Sequence, residues 1–191
     1  MSENLYAPSA APIVELSDAT RTEFYVVGIT KYVLLSVATL GLYQIFWFYL
    51  HWARYRSFHR ADLMPAARAI FAIFFAHSLN RRIDDRLQQG GMDHRWHPSR
   101  SATGYVFLTL VGVPLGLMSM AGNGWIELAS YAIFAVTTWL LAGVQRAANA
   151  ACGQPMGESN RQLTWANWIW LVLGGLFWAL ALIGLFLPPQ A

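Results

Sequence analysis

Apolar residues in this chain fall into long runs. Residues 32–50, 104–120 and 168–187 carry no charged side chain, and residues 125–144 carry only Glu127. A helix needs about 20 residues to cross the hydrocarbon of a bilayer, so each run is long enough to span, the second only just. Ala121-Gly122-Asn123-Gly124 is all that separates the second run from the third, which makes those two an antiparallel hairpin. The fourth run stops at Pro188-Pro189, where two amide donors are missing. The pattern predicts an all-α, polytopic helical membrane protein with four transmembrane helices. A single membrane domain over residues 25–191 follows a flexible acidic tail over residues 1–24.

Residues 64–79 form a fifth apolar run, interrupted by Arg68 and His77 and shorter than a span. Extended to Leu87, it places Phe71, Phe75, Leu79, Ile83 and Leu87 at four-residue intervals. That stripe drifts slowly around a helix, while Arg81, Asp84 and Asp85 fall largely off it. Pro65 suits a first helical turn, where its absent amide proton has no partner to lose. The expectation is an amphipathic interfacial helix over about residues 65–88, with a re-entrant or full crossing as the alternative.

Composition agrees with a membrane home. Of 191 residues, 56% are hydrophobic and 12% charged, whereas soluble domains carry about 25% charged residues. Disordered, collagen-like and disulfide-scaffold classes are excluded, since Cys152 is the only cysteine. Nine arginines lie between His51 and Ala102 against four aspartates, while Glu3, Glu15, Asp18 and Glu23 outnumber Arg21 in the first 24 residues. Because these arginines sit between apolar runs, the predicted partners are the lipid bilayer and its anionic head groups and not nucleic acid. Arg54, Arg56, Arg60, Arg68, Arg81 and Arg82 are the candidate lipid-surface contacts. With the tail outside, residues 51–102 and 145–167 face the cytoplasm and 11 of the 13 Lys and Arg lie inside, as the positive-inside rule requires.

Candidate chemistry is sparse. His94 and His97 stand three apart, but Gly90-Gly91 before them signals a turn and no cysteine is near, so no metal is expected there. Asp84 and Asp85 beside Arg81 and Arg82 read as salt-bridged surface charge, with His77 nearby. His51 and His59 read as interfacial, Lys31 as a snorkelling anchor, and Trp47, Trp52, Trp125, Trp165, Trp168 and Trp170 as headgroup markers. Glu127 is the one candidate intramembrane ionisable group, although its place in a first helical turn favours a role at the positive helix end. Gly112 and Gly116 around Pro114 are candidates for close helix packing, within the chain or between copies, as are Gly174 and Gly175. In the Asn- and Gln-rich connection, Asn149 with Gly153 fits a helix end and Thr164 a helix start. No phosphate loop, HExxH or GxSxG pattern occurs, and no cofactor or catalytic residue is predicted.

Lys31, Leu35-Ser36, Thr39, Gly41, Tyr43, Trp47 and Tyr49 form a K-x-x-x-L-S-x-x-T-x-G-x-Y-x-x-x-W-x-Y run. It resembles the first-span signature of a family of small bacterial multi-pass inner-membrane proteins of unknown function, in which a P-x-x-R-A-x-F segment follows, here residues 65–71. The resemblance implies a bacterial inner-membrane helical protein and assigns no catalytic residue. The functional expectation is a non-enzymatic interaction or envelope-organising bundle. A small transporter or channel subunit using Glu127 is the alternative. A membrane enzyme acting on lipid head groups through His77, Asp84 or the His94 and His97 pair ranks last.

Overall fold

The computed structural model describes residues 22–119 and 124–186. Among them the chain is all-helical: α1 (Ile29–Ala38), α2 (Leu42–His59), α3 (Pro65–Ile70), α4 (Ala72–Gln89), α5 (Pro98–Ser119), α6 (Gly124–Ala151) and α7 (Trp165–Phe186), with a 3-10 turn at Glu158–Asn160. Helices α5 and α6 are long and apolar enough to cross a membrane, whereas Ile29–Ala38 and Trp165–Ala181 are shorter apolar helical segments. Helix α5 continues through Pro114. Most of the acidic tail, residue 120 and Pro188-Pro189 lie outside the described residues.

The expected span over residues 32–50 is not one helix. At its centre Leu40 and Gly41 both take positive φ, 51° and 89°. The Gly41 amide donates to the Ser36 carbonyl at 2.9 Å and the Leu40 amide to that of Val37 at 3.2 Å, the bond pair of a Schellman helix end. Thr39 then serves both helices, its hydroxyl donating to the Leu35 carbonyl and accepting the Tyr43 amide. The chain reverses, so Tyr32 of α1 packs beside Tyr43 and Trp47 of α2, ring centres 6.0 and 5.6 Å apart. Lys31 and His51 therefore lie at the same end of the bundle, which removes the expected crossing between them. Gly41 at the tip abuts Phe134 of α6. That is ten residues into α6, about 15 Å of rise short of its far end.

The segment expected over residues 65–88 is likewise two helices, joined at Phe71. The apolar stripe is not spread on a surface: Leu79, Ile83 and Leu87 are buried against the bundle, and Phe71 alone of the five is largely exposed. A second short hairpin results, with Ile70, Phe71 and Phe74 exposed at its tip. Helix α4 descends antiparallel to α5, with His77 bonded to Thr103 and Asn80 to the Pro98 carbonyl. Helices α5 and α6 form the expected hairpin, Gly104 meeting Leu140 and Gly112 meeting Ile133. Helix α7 runs beside α1, and Gly174 lies so close to Ala38 that a β-carbon would fall 2.2 Å from its carbonyl oxygen.

Two zones follow. The buried core joins α4, the middle of α2, the start of α5 and the end of α6. Trp47 and Trp52, expected at a headgroup boundary, are 0% exposed in that core. In the other zone, large apolar side chains such as Leu42, Phe46, Phe107, Leu117 and Leu176 face outward.

A basic end and its amide clasp

Residues 22–28 form an extended segment that α6 holds with two side-chain amides. Asn149 treats Val27 as a neighbouring strand would, its Nδ2 donating to the Val27 carbonyl at 2.9 Å and its Oδ1 accepting the Val27 amide at 3.3 Å. Gln145, fully buried, donates from Nε2 to the Tyr25 carbonyl and to Asn149 Oδ1, at 2.9 and 2.7 Å. Its Oε1 accepts from Trp47 Nε1 and faces His51 Nε2 at 3.1 Å. A carbonyl oxygen only accepts, so His51 carries its proton on Nε2. Burial pushes the imidazole down to about 3, against a smaller upward pull from Gln145, and leaves it neutral.

The connection after α6 closes the clasp from the other side. Asn160 donates to the Val26 carbonyl and the Tyr25 hydroxyl and accepts from Lys31 Nζ at 2.7 Å. Lys31 also donates to the Gln162 carbonyl at 2.8 Å. It is buried and tethered to protein, which corrects its expected role as a lipid anchor, and burial lowers its basicity. Gly157, with φ of 68°, backs directly onto the Val27–Gly28 peptide. The amides of this region thus bind backbone. Helix α6 ends where Gly153 predicts, and α7 starts after Thr164, whose amide and hydroxyl both donate to Asn167 Oδ1 at 3.0 Å.

The boundary of the expected tail moves. Phe24 is 0% exposed and Glu23 is buried, held by His59 Nε2 at 2.7 Å and paired with Arg86 at 3.3 Å. Residues 22–24 therefore belong to the folded body. His51 is core, which overturns its interfacial reading, whereas His59 stays exposed while bonding to Glu23.

The candidate arginines divide by environment. Arg54, Arg56, Arg60 and Arg81 are exposed. Arg68 and Arg82 instead stack on aromatic rings of α2 and α4. The expected pairing of Asp84 and Asp85 with Arg81 and Arg82 does not form. Asp84 accepts from Gln88 Nε2 at 2.8 Å and Trp96 Nε1 at 2.9 Å. His94 and His97 line a groove with Arg95, Arg100 and Arg146, and among the described residues no three His, Cys, Asp or Glu converge. Cys152 lines a polar cleft with Glu23, Arg54 and Arg86, and burial raises its thiol.

Away from the basic end, Glu127 occupies the first turn of α6 and accepts the Tyr131 hydroxyl at 2.7 Å. Tyr131 lines an apolar groove of about 390 Å³ between the α1–α2 tip, Ala72 and the α5–α6 hairpin, with Gln44, Thr109 and Thr137 as further polar groups. Gly112 and Gly174 are used for packing within the chain, whereas a β-carbon on Gly116 or Gly175 meets nothing within 4 Å. The sequence reading missed the clasp and the stacked arginines, because both join segments far apart in the chain. No protein-family model matches this chain, and neither the curated proteins nor the solved structures contain a match.

Proposed function

We propose that this protein is a non-enzymatic bundle of a bacterial inner membrane, serving interaction or envelope organisation from its cytoplasmic face. The carrying observation is the division of its surface. Arg54, Arg86, Arg100, Arg146 and Arg161 gather at the end that holds the packed core, while the opposite zone turns apolar side chains outward. In this reading α5, α6 and α7 cross, and the α1–α2 and α3–α4 hairpins enter from the basic side and return. That leaves the basic end inside, as the positive-inside rule prefers.

Single cysteines test this arrangement. In a Cys152→Ala background, Thr30→Cys and Ser57→Cys both sit at exposed positions. Both are expected to react with a membrane-impermeant maleimide in inverted vesicles and neither in intact spheroplasts. Labelling of Thr30→Cys from outside with Ser57→Cys protected would restore a continuous first span and defeat the proposal. The transporter alternative draws on the bond from Tyr131, which lines the apolar groove, to Glu127. It requires Glu127→Gln to abolish a proton- or ion-dependent flux in proteoliposomes.

A further inference from the structure

Arg68 and Arg82 share one aromatic platform. The Arg68 guanidinium carbon lies 4.4 Å from the centre of the Trp52 ring and 4.9 Å from that of Phe75. The Arg82 carbon lies 4.4 Å from the centre of Tyr55 and 5.8 Å from that of Trp52. Arg82 donates from Nη1 to the Tyr55 hydroxyl, but its Nε is buried without an acceptor. Among the described residues no carboxylate forms an ion pair with either group. Glu23 is held by His59 and Arg86, and Asp84 by Gln88 and Trp96. Asp85 lines the cleft beside Arg82 and stays exposed.

Stacking on rings satisfies the faces of the guanidinium groups and leaves donors at their edges open. Two cations facing one indole also repel each other. Burial, and then the Arg82 charge, hold Arg68 below its ordinary basicity. A tetrahedral oxyanion offers several acceptors at once and answers both problems, because guanidinium forks match phosphate oxygens in bidentate geometry. Position narrows the source of that phosphate. Arg68 lies within one turn of Ile70 and Phe71 at the α3–α4 tip, where Phe74 is also exposed. The Arg68 donors thus stand where the basic end gives way to the apolar zone, with Arg82 deeper toward the basic end beside Tyr55.

We propose that Arg68 and Arg82, framed by Trp52, Tyr55 and Phe75, bind the phosphate of an anionic phospholipid whose acyl chains run along Ile70, Phe71 and Phe74. The proposal rests on the membrane reading above and adds a specific lipid site to it. The shared chemistry is phosphate recognition, so the test must separate a lipid from the free ion.

Full-length protein is incorporated into phosphatidylcholine nanodiscs doped with phosphatidylglycerol, released into neutral detergent, and its retained lipid is measured by native mass spectrometry. Wild type is expected to retain phosphatidylglycerol over phosphatidylcholine by about tenfold, because both lipids carry the phosphate that the forks hold but the two guanidinium groups repel the choline cation of phosphatidylcholine. The double variant Arg68→Gln, Arg82→Gln should lose that preference, and millimolar inorganic phosphate should not displace the lipid. Arg68→Lys with Arg82→Lys keeps both charges without the planar fork, and should lose most of the preference at an unchanged melting temperature. If the Gln pair misfolds, the Lys pair decides. Undiminished preference in the folded variants overturns the site, and displacement by inorganic phosphate reassigns it to the free ion and overturns the lipid. A wild-type protein that stays in solution without detergent defeats the membrane reading itself, whereas one that inserts and shows no lipid preference defeats only the site.

Discussion

At the scale of single residues, the basic end is governed by two amides and one neutral histidine. Gln145 uses its oxygen twice and its nitrogen twice, so Gln145→Leu orphans the Trp47 and His51 donors and the Tyr25 carbonyl together. At about 1–3 kcal/mol for each buried group left unpaired, a loss of about 3 kcal/mol or more is expected. Thermal melting in detergent measures it, and a variant that melts with wild type would show that the clasp carries no stability. His51 makes a pH prediction. Its folded value of about 3 lies below the unfolded value near 6.5, so its contribution is complete above pH 6.5 and is lost as pH falls toward 3. The loss should reach about 2 kcal/mol at pH 5. His51→Gln should flatten the melting profile between pH 7 and 5 relative to wild type, and an equally steep profile in both would exclude His51. None of this network was legible beforehand, since Val27 and Asn149 are 122 positions apart. An Asn-rich stretch reads equally well as cap, ligand or, as here, a side-chain substitute for a β-strand.

At the scale of elements, the central lesson lies in the T-x-G-x-Y portion of the first run. A window of 19 uncharged residues measures hydrophobicity, and two short arms of a hairpin share it with one span. What separates them is Thr39 followed by Leu40 and Gly41 at positive φ, a turn whose residue types also occur inside continuous helices. The same motif with glycine at the left-handed position ends α4 at Gly91 and α6 at Gly153, and those two ends were readable because polar residues follow them. Gly41→Ala tests the turn. A methyl there must accept a φ of 89° and a contact of 3.1 Å with Phe134, so a loss of about 1–2 kcal/mol is expected, the cost of a left-handed non-glycine residue. Chemical denaturation provides the measurement. Stabilisation instead would mean that residues 39–42 can straighten into a helix. The five-residue stripe from Phe71 to Leu87 fared differently. Its amphipathicity was real, but the apolar face met α5 and α6 before it could meet lipid, a choice between partners that periodicity alone does not decide.

At the scale of the whole molecule, stability is unevenly spread. The core at the basic end interlocks α2, α4, α5 and α6, while α7 docks mainly on α1. That docking uses the bare backbone of Gly174 against Ala38, the Trp178 indole donating to the Val37 carbonyl at 2.9 Å, and a ring contact between Trp178 and Tyr131. Small residues let helices approach closely where lipid offers an equally apolar alternative, so a bulky side chain at this point should release α7 and spare the rest. Gly174→Leu is expected to do so. In a Cys152→Ala background, oxidative cross-linking of Val37→Cys to Trp178→Cys should fall at least severalfold when Gly174→Leu is added. Cross-linking of Gln44→Cys to Thr138→Cys, whose native side chains are 3.0 Å apart, should persist. Equal loss at both sites would show that α7 and the core form one cooperative unit. Undiminished cross-linking at the first would show that the α1–α7 seam tolerates bulk, and that the close fit of Gly174 against Ala38 is not what holds the seam together.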